Sequence, residues 1–231
     1  KSEELWAYLG IVGFSTVTIA ANIRHLYGAV GTSLRHAFFQ VSSIITTTGY
    51  ATVDFDQWPS LSRYVLLFLM MIGACAGSTG GGMKVSRFLL SVKSALRELN
   101  SYLFPKSVKK IKMDGKTVDE EAIRGINVYF TAYILLVVLS VFLICINGMD
   151  IESAFSSVLG TFNNIGPGLG KFGPTCNFGW VSTFSKYVYI FDMLAGRLEL
   201  FPVLILLYPP SWRGLLKHSM KRKKNKRATT I

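Results

Sequence analysis

The chain has 231 residues, of which 50% are hydrophobic and only 16% are charged, and its formal net charge is +12 at pH 7. So apolar a composition excludes an ordinary soluble domain and is typical of a protein with several membrane-spanning segments. Its three cysteines form no Cys-x-x-Cys pair and its three histidines are scattered, which argues against disulfides and against a transition-metal site.

The apolar runs follow an order of long, short and long segments that occurs twice. A spanning helix needs about 20 apolar residues, whereas runs of about 10 to 14 are typical of re-entrant or buried helices. In chain order the runs are Leu5 to Ile23 (long), Leu34 to Ile45 (short), Leu61 to Ala76 (long), Ile126 to Ile146 (long), Ile151 to Phe162 (short) and Val181 to Tyr208 (long). We therefore predict an all-α integral membrane protein.

The two halves of this order are copies of one module, as a search for internal repeats reveals. AFFQVSSIITTTGYA, from Ala37, aligns without gaps with AFSSVLGTFNNIGPG, from Ala154, and this alignment pairs Gly49 with Gly166. Farther along, SRYVLLFLMMIGA aligns with SKYVYIFDMLAGR. We predict two tandem modules, each composed of a helix, a re-entrant pore loop and a second helix.

Positive charge is concentrated between the modules and in the tail, in residues 84–124 and 213–227. Cytoplasmic loops of membrane proteins carry an excess of Lys and Arg, so both stretches are predicted to be cytoplasmic and the short helices to enter from the opposite face. Basic segments next to the spanning helices are expected of any membrane protein with this layout. We predict contact with membrane lipid and no nucleic-acid partner.

Each short helix ends in a glycine-containing stretch at membrane depth. Irregular backbone is tolerated there only where protein buries it or where it lines a water-filled path. The negative end of each inward-pointing helix favours a cation, and glycine lets carbonyl groups face an ion. The predicted filter residues are Thr47, Thr48, Gly49, Tyr50, Asn164, Ile165, Gly166 and Pro167. A glycine-containing turn between two buried helices is the alternative.

A glycine-rich segment, GACAGSTGGGMK, begins at Gly73. Each interior glycine costs a helix about 1 kcal/mol relative to alanine, so the helix is predicted to be interrupted after Ile72. Gly82 is followed by Met83, which excludes a Walker motif. Because Gly73 and Gly77 fit a GxxxG pattern, close helix packing is the alternative.

Between the modules, VSRFLLSVKSALRELN predicts an amphipathic cytoplasmic helix, and a hairpin is predicted about Asp114 and Gly115. The next helix opens with acidic residues, which suit a helix N-terminus. The predicted regions are a first pore module (1–97), a connector (98–121), a second pore module (122–210) and a basic tail (211–231). The sequence shows no catalytic nucleophile paired with a general base at membrane depth, so we do not predict an enzyme.

Four motifs in order, ITTTGY, GACAGSTGGGMK, NNIGPG and GRLELFP, resemble the Trk/Ktr/HKT superfamily of potassium transporters and are most similar to its TrkH-like membrane subunits. Members carry four pore modules around one pore, and the two modules here are similar to the third and fourth. The resemblance implies a C-terminal half, potassium as the transported ion, no cofactor and a bacterial plasma membrane. A missing N-terminal half or a second copy would complete the pore.

The resemblance also implies a gate below the filter. The implied gate residues are Gly77, Ser78, Thr79, Gly80, Gly81, Gly82, Lys84 and a pore-facing Arg197. A charge inside an apolar helix costs roughly 2.5 to 3.5 kcal/mol, so Arg197 is expected to face a cavity or a partner. A salt bridge with Asp192 or Glu199 is the local alternative.

The implied partners are a second copy in a homodimer and a TrkA-like cytoplasmic nucleotide-binding regulatory subunit. Two other assignments stay open on the sequence. One is a two-module channel subunit that dimerises to complete a pore, and the other is a non-transporting membrane scaffold subunit.

Overall fold

The computed structural model describes residues 2–104, 110–198, 200, 202 and 205. Seven α-helices account for most of these residues, and a two-stranded hairpin is the only sheet among them. The elements are α1 (Glu3–Tyr27), α2 (Val30–Ile45), α3 (Ser60–Ile72), α4 (Val85–Leu103), β1 (Lys112–Met113), β2 (Lys116–Thr117), α5 (Glu120–Cys145), α6 (Ile151–Phe162) and α7 (Thr183–Arg197).

The first module consists of α1, α2 and α3. Helix α1 is long and apolar enough to cross a membrane. It ends at Gly28, whose φ of 67° is the left-handed conformation that glycine adopts without steric cost. Helix α2 follows after a short turn and packs along α1. Buried Ser62, at the start of α3, donates a hydrogen bond of 2.8 Å to Asn22 and so fixes α3 to α1.

The second module repeats this plan with α5, α6 and α7. Helix α5 also has the length and composition of a membrane span. Asp150 caps α6 by accepting a hydrogen bond of 3.0 Å from the backbone N–H of Ser153, which holds the pKa of this carboxyl below its usual range. Asn147 donates to Ser185 at 2.7 Å, which ties the start of α7 to the end of α5 much as Ser62 is tied in the first module.

The predicted order of three helices in each module is confirmed, and so is the break after Ile72. The predicted lengths hold only in part, because α3 ends at the glycine-rich segment with 13 residues and is shorter than α2 with 16, and α7 has 15. Four helices, α1, α2, α3 and α5, begin earlier than their apolar runs. Helix α1 starts at Glu3 because acidic residues in a first turn are favourable next to the helix dipole. In the predicted final run, Val181 to Tyr208, most residues from 199 onward lie outside the described part of the chain.

The two modules share one core and are joined on the side where α2 and α6 begin. Buried side chains from both, including Phe55, Met70 and Phe162, form a single hydrophobic cluster. Near this side Asp56 accepts a hydrogen bond of 2.9 Å from the backbone N–H of Gly170. Arg63 pairs with Asp56 at 3.3 Å and also with Glu152.

Candidate ion filter and gate loop

The backbone after each short helix has the same unusual conformation in both modules. Thr47 and Asn164, which the repeat alignment pairs, have positive φ angles of 57° and 56°. Gly49 and Gly166, the next aligned pair, have φ angles of 78° and 108°. A positive φ is uncommon for a residue with a side chain, so its recurrence at aligned positions marks one conserved geometry within the chain rather than two unrelated turns.

The hydrogen bonds that hold these two strands also repeat. In the first module the carbonyl oxygen of Ser43 accepts from the N–H groups of Thr48 at 2.9 Å and Gly49 at 3.3 Å. In the second module the carbonyl oxygen of Gly160 accepts from the two aligned residues at 2.8 and 3.1 Å. Near the end of each short helix, one carbonyl oxygen therefore accepts hydrogen bonds from two successive N–H groups of the strand that follows.

The carbonyl groups of the same strands stay available. Within the described part of the chain, no hydrogen bond reaches the carbonyl oxygens of residues 47–49 or of the aligned residues 164–166. Backbone carbonyl groups in folded proteins are nearly always paired with protein, water or an ion. Two neighbouring strands with free carbonyl oxygens can therefore coordinate a desolvated cation.

The two strands lie directly against each other at Gly49. A Cβ atom at Gly49 would collide with the carbonyl oxygen of Ile165 and lie 3.2 Å from Pro167 Cδ. At Gly166 a Cβ atom would meet no described atom within 4 Å, so glycine is required there by its φ of 108° alone. Space and backbone conformation thus both select glycine at Gly49, and conformation alone selects it at Gly166.

The modules differ at the helix end beneath each strand. The hydroxyl group of Ser43 donates a hydrogen bond of 2.6 Å to the carbonyl oxygen of Tyr50. The aligned residue is Gly160, where a Cβ atom would lie only 3.0 Å from the carbonyl oxygens of both Gly166 and Pro167. The second strand therefore runs closer to its helix than the first, and the two modules are not interchangeable.

The glycine-rich segment, residues 73–84, lies against the base of both strands, and we refer to it as the glycine loop. A Cβ atom at Gly80 would lie 2.8 Å from Thr47 Oγ1 and 3.5 Å from the carbonyl oxygen of Thr46. At Gly81 it would collide with the carbonyl oxygen of Asn163. The absence of side chains at these two positions is what lets the loop approach both strands.

Lys84 holds the loop in a compact form. Its ammonium group donates to the carbonyl oxygen of Ser78 at 2.9 Å, to the hydroxyl of Ser78 at 3.1 Å and to the carbonyl oxygen of Gly80. Of the other predicted gate residues, Gly81 and Gly82 are buried, whereas the tip at Gly77, Ser78 and Thr79 is exposed, and a Cβ atom at Gly77 would meet no described atom within 4 Å.

Arg197 lies at the end of α7, which corrects the expectation that it sits inside a helix. A basic residue at a helix C-terminus is favourable next to the helix dipole. Its side chain is exposed, and it forms no ion pair with any residue that the structure describes. Asp192 accepts a 2.6 Å hydrogen bond from Ser140 instead, and Glu199 lies outside the described residues.

The last turn of α7 nevertheless contacts the base of the second glycine-containing strand. A Cβ atom at Gly196 would collide with the carbonyl oxygen of Phe162, and Asn164 donates a hydrogen bond of 3.1 Å to the carbonyl oxygen of Met193. Gly81 contacts Asn163 in the same turn. The turn at residues 162–164 therefore lies between the glycine loop and the helix that carries Arg197.

A protein-family model described as "TrkH: Cation transport protein" matches residues 16–212 of the chain, well over half of its length. The chain belongs to the TrkH family. This is a family of transporters rather than of enzymes, and the resemblance drawn from the four sequence motifs is confirmed.

Individual proteins of the TrkH family are also similar to this chain in sequence. The chain is 40% identical over 196 residues to the Trk system potassium uptake protein TrkH of Salmonella typhimurium and 38% identical over 216 residues to that of Escherichia coli K12. These alignments cover 85% and 92% of the chain but only 40% and 44% of the relatives. The chain thus spans less than half the length of the relatives it matches.

A solved structure of this family has the same fold. The crystal structure of the potassium transporter TrkH from Vibrio parahaemolyticus superposes with a TM-score of 0.85 at 40% sequence identity, over 92% of this chain and 45% of that one. The prediction of an all-α membrane protein built from tandem helix, re-entrant loop and helix modules is confirmed.

Within this TrkH-family fold, the sequence prediction missed Asn163. This residue is fully buried, its amide exchanges hydrogen bonds of 3.1 and 3.0 Å with the hydroxyl of Tyr133, and it also donates to the carbonyl oxygen of Leu159 at 3.0 Å. Asn163 thereby links α5 to the turn that Gly81 touches. Its only signal in the sequence is the doubled asparagine before Ile165.

Gly196 offers a test of the contact between α7 and the filter base. We expect Gly196→Ala to lower the thermal unfolding midpoint of the TrkH-family protein, because the new methyl group overlaps Phe162 backbone atoms and overpacking typically costs about 1 to 3 kcal/mol. Gly125→Ala, in α5, is the matched control, since a Cβ atom there meets no described atom within 4 Å. An equal midpoint for the two variants would contradict the close approach.

Proposed function

We propose that this chain supplies two of the four filter strands of a potassium uptake protein. The observation that supports this most directly is the pair of neighbouring strands with matching left-handed residues and free carbonyl oxygens. The names of the relatives, which are Trk system potassium uptake proteins, agree with the proposal.

In this proposal, the unpaired carbonyl oxygens of residues 47–49 and 164–166 replace the hydration shell of K⁺, and Tyr50 and Pro167 complete the two filter strands. The C-terminal ends of α2 and α6 point at the filter and add negative potential there, because helix dipoles favour a cation at that end. Neither helix has a basic residue in its last turn that would oppose this potential.

Two strands cannot enclose an ion alone, so the remaining strands come from outside this chain. We favour an N-terminal half with two further modules, because the relatives are more than twice as long as the part that this chain matches. A second copy of this chain is the other assembly. The proposed setting is the bacterial plasma membrane, with a cytoplasmic connector and tail, a homodimer and a TrkA-like regulatory subunit.

We propose that the glycine loop is the gate of this pore. It contacts the bases of both strands at Gly80 and Gly81, below the free carbonyl groups. The Lys84 ammonium bound to loop carbonyl and hydroxyl oxygens holds the loop compact. Arg197 adds a positive charge next to Gly196, which contacts the same turn as the loop. A closed loop flanked by positive charge opposes the passage of a cation.

Lys84→Met tests the role of this ammonium group. We expect a rise in K⁺ flux per folded molecule, of roughly fivefold if the lost hydrogen bonds lower the barrier by about 1 kcal/mol. Lys116→Met, on the exposed face of the hairpin, is the control for loss of one positive charge. Equal flux in both variants would argue against a gate held by Lys84.

The proposed function itself is tested with the assembled transporter in liposomes and in a bacterium that lacks its own potassium uptake. We expect K⁺ flux that exceeds Na⁺ flux, and growth at low external potassium. A scaffold subunit would assemble in the membrane without carrying either ion. Cross-linking between copies separates a pore completed by a second chain from one completed by an N-terminal half.

A further inference from the structure

Glu4 lies in the first turn of α1, yet its carboxylate binds both ends of the glycine loop. Its Oε1 atom accepts a hydrogen bond of 2.6 Å from the backbone N–H of Ala76 and one of 3.1 Å from that of Ser86. Ala76 lies in the first part of the loop, and Ser86 lies in the first turn of α4, just after the loop. A single oxygen atom therefore joins the two ends.

The start of α4 explains why an outside carboxylate is needed. The first N–H groups of a helix have no partner inside the helix and favour a negative charge. The N-cap residue of α4 is Lys84, whose side chain has no hydrogen-bond acceptor and makes no cap hydrogen bond. Glu4 supplies from α1 the acceptor that the sequence at the start of α4 lacks.

The first turn of α1, which carries Glu4, is itself held in place by other contacts. The backbone N–H of its neighbour Glu3 donates a hydrogen bond of 2.6 Å to Asp114 in the hairpin, and the Glu3 carboxylate pairs with Lys93 of α4. The ends of the loop are also joined by a hydrogen bond of 3.0 Å from the N–H of Val85 to the carbonyl oxygen of Ala74. The Glu4 carboxylate thus adds to a connection between the loop ends that this backbone hydrogen bond already makes.

We infer that Glu4 is a positioning residue for the glycine loop: it fastens both ends of the loop to α1 and limits how far the loop can open. The expected effect on ion flow rests on the gate role proposed above. The fastening itself does not, because it follows from the hydrogen bonds at Ala76 and Ser86.

The thiol of Cys75, the residue before Ala76, reports on whether this end of the loop is fastened. Cys75 is partly exposed, and the other two cysteines, Cys145 and Cys176, can be replaced by serine to leave it alone. Burial and the Glu4 carboxylate both raise the pKa of the Cys75 thiol, so modification is followed to the pH at which its rate no longer rises and the thiol is ionised in every variant. This limiting rate of maleimide modification of Cys75, in the purified, assembled transporter, measures how often this end of the loop opens. Monodisperse protein isolated by size exclusion before labelling excludes unfolded molecules.

We expect Glu4→Met to be modified roughly tenfold faster than the parent, because loss of hydrogen bonds to a charged group raises local opening by about that factor. Glu4→Gln keeps one acceptor oxygen and should fall between the two. The control is Glu121→Ala, which removes an exposed acidic residue from the first turn of α5. If Glu4→Met folds poorly, Glu4→Ala takes its place.

An unchanged rate of Cys75 modification in Glu4→Met would overturn the inference, whatever happens to ion flux. The same holds if Glu121→Ala accelerates modification equally. If modification accelerates while K⁺ flux in the same preparation is unchanged, Glu4 does fasten the loop, and the gate role proposed for the loop is wrong. The two failures are therefore distinguishable.

Discussion

Gly49→Ser in the assembled transporter is expected to abolish most of the proposed preference for K⁺ over Na⁺ and to have a larger effect than Gly166→Ser. At Gly49 a side chain would both strain a φ of 78° and collide with the carbonyl oxygen of Ile165 on the neighbouring strand. Strain of about 1 to 3 kcal/mol is typical of such a backbone position, and the collision adds displacement of an oxygen proposed to coordinate the ion.

The effect at Gly166 comes from backbone strain alone. Its φ of 108° lies in a region that residues with side chains rarely occupy, while no described atom lies within 4 Å of the added Cβ. We therefore expect Gly166→Ser to reduce selectivity less than Gly49→Ser and to leave the amount of folded protein close to that of the parent.

Relative fluxes of K⁺ and Na⁺ in liposomes measure both effects. Gly148→Ser is the matched control, because Gly148 has a φ of 74° and open space around its Cα but lies in the turn between α5 and α6. Selectivity equal to that of the parent in both filter variants would refute the filter assignment. Equal losses in the filter variants and in Gly148→Ser would assign the effect to general destabilisation.

The fold was predictable because it depends on local patterns that occur twice. Run length identified α1 and α5 as helices of spanning length, and the end of α6 falls at the predicted residue, Phe162. The break after Ile72 was predictable because clustered glycines destabilise any helix. The match between the two glycine-containing strands was likewise visible from the alignment of Gly49 with Gly166.

The contacts that assemble the site were not predictable, since they join residues far apart in the chain. Glu4 is separated from Ser86 by most of the first module, and nothing in the first turn of α1 indicates a partner in the loop. The hydrogen bond from Ser43 to Tyr50 and the buried pair of Asn163 with Tyr133 depend on how helices pack. Residue type alone does not specify such pairs.

The position of Arg197 illustrates a different limit. Hydropathy places it within a long apolar run, whereas α7 ends at this residue. A window of apolar residues locates a membrane segment but not the point at which its helix ends, and helix ends depend on capping and packing. The glycine before Arg197 is the more informative residue, because it permits the contact with Phe162.

The second large effect is expected at the glycine loop, the proposed gate. Deletion of residues 77–79, the exposed tip of the glycine loop, should raise K⁺ flux because the shortened loop can no longer reach Thr47 and Asn163. Arg197→Ala should also raise flux, by roughly fivefold for a barrier lowered by about 1 kcal/mol. Arg124→Ala, an exposed arginine in α5, is the control for loss of charge.

The two changes together should give less than the sum of their separate effects on the barrier. Gly81 and Gly196 both contact the turn at residues 162–164, so the loop and the end of α7 act on one structure, and groups in contact are not independent. A buried ion pair of Arg197 would behave differently: Arg197→Ala would strand a carboxylate, lower the folded yield and leave flux per folded molecule unchanged or reduced. Flux normalised to folded protein decides between these cases, and full additivity would mean that the loop and Arg197 oppose ions at separate barriers.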